Sequence, residues 1–94
     1  MKFPKPSREE NAAYLAHVRS LPCCLDCGGQ SLIDPHHVVR RSLGGSDLTC
    51  VPLCRMHHAE LHGPRGERRF WEDRGLNRWQ VVADTQAEYI RLCV

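Results

Sequence analysis

The sequence predicts a small α+β domain in which a β-hairpin and a helix lie between an N-terminal helix and two C-terminal helices. Apolar residues recur at helical spacing near both ends of the chain, and two short β-type segments, 32–39 and 48–53, lie in its middle. Cysteine and histidine are concentrated between residues 23 and 62. A chain of 94 residues forms one domain with a small core, 1–94, which divides into segments 1–22, 23–63 and 64–94.

The N-terminal segment predicts one helix with signals at both ends. Ser7 and Glu10 have the spacing of a capping box, with Ser7 as the N-cap. Apolar side chains then follow at helical spacing. Pro22 is expected to end the helix, because proline lacks the N–H that a helix interior needs.

The middle segment predicts a strand, a loop, a second strand and a helix. Residues 32–39 are the first strand, irregular at Pro35, and residues 48–53 are the second. The loop between them contains Gly44-Gly45. From Cys54 to His62 the pattern is helical, and Gly63-Pro64 ends that helix.

The C-terminal segment predicts two helices that pack on this unit. The first covers residues 65–74, with Phe70 and Trp71 facing inward and Gly75 as its cap. The second begins at the capping signal near Asn77. Its predicted inner face contains one polar residue, Gln86, among apolar side chains: Trp79, Val82, Ala83, Tyr89, Ile90 and Cys93.

Composition limits the partners and the compartment. A net charge of +2 is weak evidence for a polyanionic partner, but arginines lie directly beside the cysteine and histidine cluster. No apolar run approaches the roughly 20 residues that a membrane span needs, and the N-terminus lacks the apolar stretch of a signal peptide. We therefore expect no membrane partner and a cytoplasmic location with reduced thiols. A disulfide-bonded secreted domain is the alternative.

Two pairs of residues have the spacing of ligands to a structural zinc ion. Cys24 and Cys27 form a Cys-x-x-Cys-Gly knuckle, in which a tight turn directs two sulfurs at one ion. Cys54 and His57 follow at the start of a helix, and together the pairs supply the four thiolate and imidazole ligands that zinc prefers. Cys23 is an alternative to Cys24, because a Cys-x-x-x-Cys spacing is also tolerated.

Four further histidines predict a second metal site. His58 and His62 are four residues apart and project from one face of the predicted helix. His36 and His37 are strand neighbours that project to opposite faces, so one joins the helical pair and the other remains free to exchange a proton near neutral pH. Three protein ligands with open coordination positions are typical of a catalytic metal. The alternative is a second structural zinc ion, closed by Cys50 or Asp47.

The stretch from Cys24 to His62 resembles the HNH endonucleases of the ββα-metal, or His-Me finger, type. The matching residues are the Cys24-x-x-Cys27-Gly28 knuckle, His36-His37, Gly44-Gly45, Leu53-Cys54 and His57-His58. A wider frame, from Leu21-Pro22-Cys23 to Phe70-Trp71, is similar to small phage and prophage HNH proteins, some of which belong to a recombination-enhancing group. The resemblance implies a zinc-stapled ββα-metal core.

The resemblance also implies a role for each residue that matches the motif. His37 matches the general base that activates water. Thr49 stands where the family has the asparagine that orients this base, and Asp47 is an alternative orienting residue. A catalytic divalent metal, either Mg, Mn, Ni or Zn, is implied on His36, His58 and His62. A structural zinc ion is implied on Cys24, Cys27, Cys54 and His57.

These roles predict a metal-dependent DNA endonuclease that nicks one strand by phosphodiester hydrolysis, as a monomer or a weak homodimer. The residues expected to contact DNA phosphates are Arg40, Arg41, Arg55 and Arg65. The alternative is a non-catalytic zinc-binding module that recognises nucleic acid or protein, which the replacement of asparagine by Thr49 favours. His37 distinguishes the endonuclease from the binding module, because only catalysis requires an imidazole that is not a metal ligand.

Overall fold

The computed structural model describes residues 9–25, 27 and 32–93, which form four α-helices and a two-stranded antiparallel sheet. Two short 3-10 turns, Arg41–Leu43 and Asp47–Thr49, lie between the strands. The predicted α+β class is confirmed. Among the described residues, every helix is too short or too polar to span a membrane. In chain order the elements are α1 (Ala12–Ser20), β1 (Ile33–His37), β2 (Cys50–Cys54), α2 (Arg55–Leu61), α3 (Glu67–Asp73) and α4 (Arg78–Cys93).

Helix α1 begins later than the capping box predicted. Its N-cap is Asn11, whose Oδ1 accepts a hydrogen bond of 2.9 Å from the backbone N–H of Tyr14. Ser7 lies outside the described residues, and Glu10 precedes the helix. The helix ends shortly before Pro22, as proline requires.

Strands β1 and β2 form a hairpin whose register places Pro35 opposite Pro52. Proline has no N–H, so both residues fit a two-stranded ladder only where the backbone nitrogen points away from the partner strand. The carbonyl oxygen of Pro52 accepts a hydrogen bond of 2.8 Å from the backbone N–H of Cys24. The segment that carries the first cysteines is thereby attached to the edge of β2.

Alternation along β1 separates the two adjacent histidines. Asp34 and His36 share one face of the hairpin, where both contact His58 of α2. His37 belongs to the opposite face and lies across from Cys50 in the register. The prediction that His36 and His37 diverge is therefore confirmed.

A close backbone approach in the loop between the strands requires glycine at position 45. A Cβ atom built on Gly45 would lie 2.0 Å from the carbonyl oxygen of Val39. The neighbouring Gly44 has a φ of 81°, in the left-handed region that glycine adopts without strain. The backbone N–H of Gly45 donates to the carbonyl of Arg40 (3.0 Å), which fixes the turn Arg41–Leu43 beside β1.

Two clusters of buried side chains hold the helices against the hairpin. Helices α2, α3 and α4 pack through the larger cluster, and the inward positions predicted for Phe70 and Trp71 are confirmed. Helix α1 packs through Tyr14 and Val18, which contact Cys50 of β2. Burial of a side chain such as Leu61 contributes about 1.5–3 kcal/mol, so the larger cluster fixes α2 firmly against the sheet.

The inner face of α4 differs from the predicted stripe. Val82 and Thr85 are buried, whereas Trp79 is 51% exposed and Ile90 is 61% exposed. The amide of Gln86 donates a hydrogen bond of 2.7 Å to the carbonyl oxygen of Leu48. The short hairpin covers only the middle of this 16-residue helix, so residues near both ends of the predicted stripe remain in solvent.

Candidate metal centres

Within residues 9–25, 27 and 32–93, two groups of side chains bring their ligand atoms within 4.8 Å of one another and could each hold a metal ion. We call the first the cysteine group and the second the three-histidine group. The cysteine group consists of Cys23, Cys27, Cys54 and His57. The three-histidine group consists of His36, His58 and His62.

The ligand atoms of the cysteine group are close enough together to share one metal ion. The sulfurs of Cys27 and Cys54 are 3.8 Å apart, and the Cys54 sulfur lies 3.0 Å from Nδ1 of His57. Two thiolates each about 2.3 Å from a tetrahedral zinc ion are separated by about 3.8 Å. No disulfide bond joins the cysteines in the described part of the chain, so the disulfide alternative has no support here.

Cys23, rather than Cys24, contributes to the cysteine group, which corrects the predicted ligand set. The backbone N–H of Cys24 is bonded to β2, and its side chain packs against the hydrophobic core. The adjacent Cys23 is therefore the residue whose sulfur reaches Cys27 and Cys54. Burial raises the pKa of Cys24 to about 12. Burial also raises the pKa of Cys23, so a bound cation is needed to keep the Cys23 sulfur as a thiolate at neutral pH.

The three-histidine group also has metal-like dimensions. Nε2 of His58 lies 3.3 Å from Nδ1 of His36 and 3.2 Å from Nε2 of His62. Two imidazole nitrogens, each about 2.0–2.1 Å from a tetrahedral ion, are separated by about 3.3 Å. The predicted association of one β1 histidine with His58 and His62 is therefore present, and that histidine is His36.

In two of these histidines, the ring nitrogen that points away from the other imidazoles lies within hydrogen-bond distance of a carboxylate. Oε2 of Glu67 lies 3.0 Å from Nε2 of His36, and Oδ2 of Asp34 lies 3.3 Å from Nδ1 of His58. Burial disfavours both charges, but hydrogen bonds from His36 and Trp71 lower the pKa of Glu67. In the same way, hydrogen bonds from Arg55 and His58 outweigh burial and lower the pKa of Asp34. Both carboxylates are therefore ionised at neutral pH and accept the imidazole N–H.

These carboxylates leave two nitrogen lone pairs facing each other. With protons on Nε2 of His36 and Nδ1 of His58, the nitrogens that are 3.3 Å apart have no proton to share. Burial lowers the pKa of His58 despite its bond to Asp34, which favours the neutral ring. A cation between the lone pairs relieves their repulsion, and carboxylate–histidine–metal arrangements of this kind are typical of protein metal sites.

His37 lies outside the three-histidine group and is oriented by Asp47, not by Thr49. Nε2 of His37 is 2.8 Å from Oδ1 of Asp47, whose side chain is almost completely buried. The hydroxyl of Thr49 instead donates to the carbonyl of Ser46 (2.7 Å). The role expected for Thr49 is corrected, because its hydroxyl closes the local turn and the carboxylate two residues earlier reaches the imidazole.

An open cavity of about 930 Å³ is lined by the three-histidine group, His37 and three arginines. Arg19 comes from α1, and Arg40 and Arg41 come from the loop after β1. None of the three forms an ion pair with another described residue. The cavity therefore combines metal-type ligands, a separate imidazole and the positive charge of three arginines.

The other two arginines predicted to contact DNA are placed differently. Arg55 pairs with Asp34 at 3.3 Å, and Arg65 pairs with Asp73 at 2.7 Å. Neither residue lines the cavity. Their charges are compensated within the chain, so they are less available to phosphates than Arg40 and Arg41.

Comparison with known proteins identifies the family. A family model described as "Protein of unknown function (DUF968)" matches residues 1–89. The chain belongs to this family. It is also similar to "Uncharacterized protein YdfU" of Escherichia coli (strain K12), with 42% identity over 67 residues that cover 66% of this chain and 19% of the relative. The chain thus spans about a fifth of the length of this curated relative. No solved structure matches it.

Three site residues of this DUF968 chain were missed by sequence reasoning. Asp34 had a usable signal, because strand alternation places it on the same face as His36. Glu67 had none, since it lies 31 residues from His36 and its predicted helix was assigned to packing. Arg19 belongs to a helix remote in sequence from the histidines, and only the fold brings it to the cavity.

Proposed function

We propose that this chain is a metal-dependent DNA endonuclease of the HNH type that hydrolyses phosphodiester bonds and nicks one strand at a time. One observation carries the proposal. His37 is not part of the three-histidine group, yet it lines the same cavity and is oriented by the buried carboxylate of Asp47. Hydrolysis needs a general base beside the metal, whereas a module that only binds has no use for this imidazole.

The bond to Asp47 defines which nitrogen of His37 acts as the base. Nε2–H donates to Oδ1 of Asp47, so the lone pair lies on Nδ1. Nδ1 accepts a proton from water as the water oxygen bonds to phosphorus and the bond from phosphorus to the leaving 3′-oxygen of DNA breaks; the 3′-oxygen takes its proton from solvent. The negative charge of Asp47 then stabilises the imidazolium that forms.

The three-histidine group supplies the second part of the chemistry. A divalent cation held by these histidines would supply Lewis-acid stabilisation of the negative charge that develops on the phosphate. His36, His58 and His62 fit such an ion by their nitrogen separations and by the carboxylates behind two of the rings. Imidazole ligands favour Zn, Ni or Mn over Mg.

The three cavity arginines support a polyanionic substrate. Arg19, Arg40 and Arg41 surround the histidines without a carboxylate partner among the described residues. Guanidinium groups bind phosphate through paired hydrogen bonds and position a nucleic-acid backbone without reading its sequence. We therefore expect weak sequence preference and strong dependence of binding on salt.

The cysteine group supports a structural zinc ion within a ββα-metal core. Its ligands come from the segment before β1, the end of β2 and the start of α2. A zinc ion there would fix the position of α2, which carries His58 and is followed directly by His62. Thiolate ligands also agree with a reducing compartment such as the cytoplasm.

A plasmid-nicking assay tests the proposal. Purified protein is incubated with supercoiled plasmid and Mn, Mg, Ni or Zn, and conversion to the open circle is measured. His37→Ala should reduce the rate by about 10²–10⁴-fold, the usual contribution of a general base. His17→Gln is the matched control, since His17 lies against Tyr14 and Tyr89 outside the cavity.

Two results would overturn parts of the proposal. Folded, metal-loaded protein that cleaves with none of these metals would favour the alternative, a zinc-binding module that recognises nucleic acid or protein. Cleavage by His37→Ala at the wild-type rate would remove the base assignment and leave the metal site in place.

A further inference from the structure

We propose that Glu67 is a positioning residue that selects Nδ1 of His36 as the metal ligand and connects the three-histidine group to Trp71. The inference rests on the metal binding contained in the proposed function, but it does not require DNA cleavage. The sequence predicted packing helices in the segment 64–94, with Arg65 as a DNA contact, and gave this segment no part in the metal site. Glu67 gives α3 a direct part in the metal centre.

A single carboxylate oxygen of Glu67 contacts three positively polarised groups. Oε2 lies 3.0 Å from Nε2 of His36, 3.1 Å from the indole Nε1 of Trp71 and 3.8 Å from a guanidinium nitrogen of Arg78. Trp71 is almost fully buried, so its N–H has no solvent to replace this acceptor. The indole and the guanidinium together restrict the carboxylate to one position.

The position of Glu67 determines the tautomer of His36. His36 is 4% exposed, so water cannot substitute for the carboxylate. Because Glu67 accepts the Nε2 proton, the His36 lone pair is on Nδ1, which faces Nε2 of His58 at 3.3 Å. A ring rotation that exchanged the two nitrogens would break the bond to Glu67 and leave a partly buried carboxylate without its imidazole partner.

The same contacts make Trp71 a reporter of the metal centre. A cation on Nδ1 of His36 makes the Nε2 proton more acidic and strengthens its bond to Glu67. That change alters the acceptor available to the Trp71 indole N–H, and hence the indole emission. Trp79, the other tryptophan, is half exposed, and its indole forms no hydrogen bond with Glu67 in the described part of the chain, so Trp79→Phe isolates the signal from Trp71.

The test is a Co²⁺ titration without DNA, in the Trp79→Phe background and with zinc retained in the cysteine group. Calorimetry measures affinity, and emission measures the Trp71 response. Absorption by cobalt–thiolate bonds reports separately any metal exchange in the cysteine group. We expect one Co²⁺ to bind the three-histidine group with a change in emission.

Glu67→Gln should weaken this Co²⁺ binding by about 10–100-fold, the usual effect of removing a carboxylate behind a metal-bound histidine, and should abolish the emission change. Glu72→Gln is the matched control, because Glu72 lies on the same helix and is exposed. It should change neither quantity. Wild-type affinity and emission response in Glu67→Gln would overturn the proposal.

A measurement on the unsubstituted protein guards against a variant that does not fold. Nitrogen chemical shifts of the imidazoles, from ¹⁵N-labelled protein, should show His36 protonated at Nε2. Protonation at Nδ1 would overturn the proposal. If Co²⁺ binding depends on Glu67 but no plasmid is cut, the nuclease proposal fails and the positioning role of Glu67 stands.

Discussion

Replacement of Asp47 by asparagine should reduce both the stability of the protein and its cleavage of DNA. Oδ1 of Asp47 accepts a hydrogen bond from Nε2 of His37, and Oδ2 accepts one from the backbone N–H of Asn11, each at 2.8 Å. Asp47 is only 2% exposed, so water cannot replace either bond. Asparagine has the same shape but presents one oxygen and one NH₂ group to these two donors.

While His37 keeps its proton on Nε2, either orientation of the new amide leaves one donor facing another. An unsatisfied buried donor costs about 1–3 kcal/mol, which is the expected loss in the free energy of unfolding. If the NH₂ group faces His37, the imidazole must place its proton on Nδ1 and can no longer accept one from water. We therefore expect Asp47→Asn to slow nicking by about 10²-fold, toward the lower end of the range for a general base.

The assay is a double-mutant cycle with plasmid nicking and urea unfolding as the two measurements. If Asp47 acts through His37, adding Asp47→Asn to His37→Ala should cause little further loss of activity. Multiplicative losses would refute the reasoning, because Asp47 would then contribute by another route. Asp73→Asn is the control, since Asp73 is exposed and pairs with Arg65 on the surface.

Three further predictions concern zinc, the α1 core and the arginines. Cys23→Ser should lower the zinc content found by metal analysis, whereas Cys24→Ser should not; the reverse result would contradict the ligand assignment. The buried hydroxyl of Tyr14 has no hydrogen-bond partner in the described part of the chain, so Tyr14→Phe should raise the free energy of unfolding by about 1 kcal/mol. Burial raises the pKa of Tyr14 from its ordinary value near 10 to about 12. The tyrosine therefore ionises more readily in the unfolded chain, and the free energy of unfolding of wild type should fall between these pH values. An equal fall in Tyr14→Phe would contradict this. Arg40→Ala should reduce the slope of log binding constant against log salt by about 1, and Arg55→Ala by less; equal changes would argue against the cavity as the DNA site.

Local signals in the sequence predicted the elements well. Helical and strand periodicity, with proline and glycine at the boundaries, predicted the order of four helices and two strands seen in the described residues. The start of α1 was wrong, because Asn11 caps the helix where the pattern at Ser7 suggested an earlier start. Trp79 was predicted to be in the core but is half exposed. Periodicity identifies the apolar face of a helix, but it does not show how much of that face the rest of the protein covers.

The types of residue in the site were also readable from spacing. Histidines four residues apart on a helix must share a face, and adjacent strand residues must diverge, so the association of His58 and His62 with one of two β1 histidines followed from local geometry. The choice of Cys23 over Cys24 did not follow. It depends on the bond that fixes the backbone of Cys24 to Pro52 in a different segment.

The sequence by itself determined which side-chain chemistry is available: two sets of candidate metal ligands, a further imidazole and arginines nearby. Only the tertiary structure decided which side chains support that chemistry. Asp47 replaced Thr49 as the partner of His37, and Glu67 joined His36 from a helix 31 residues away. The physical reason is distance: spacing along a helix or strand constrains neighbours on that element, whereas a 3 Å hydrogen bond between elements depends on how they pack.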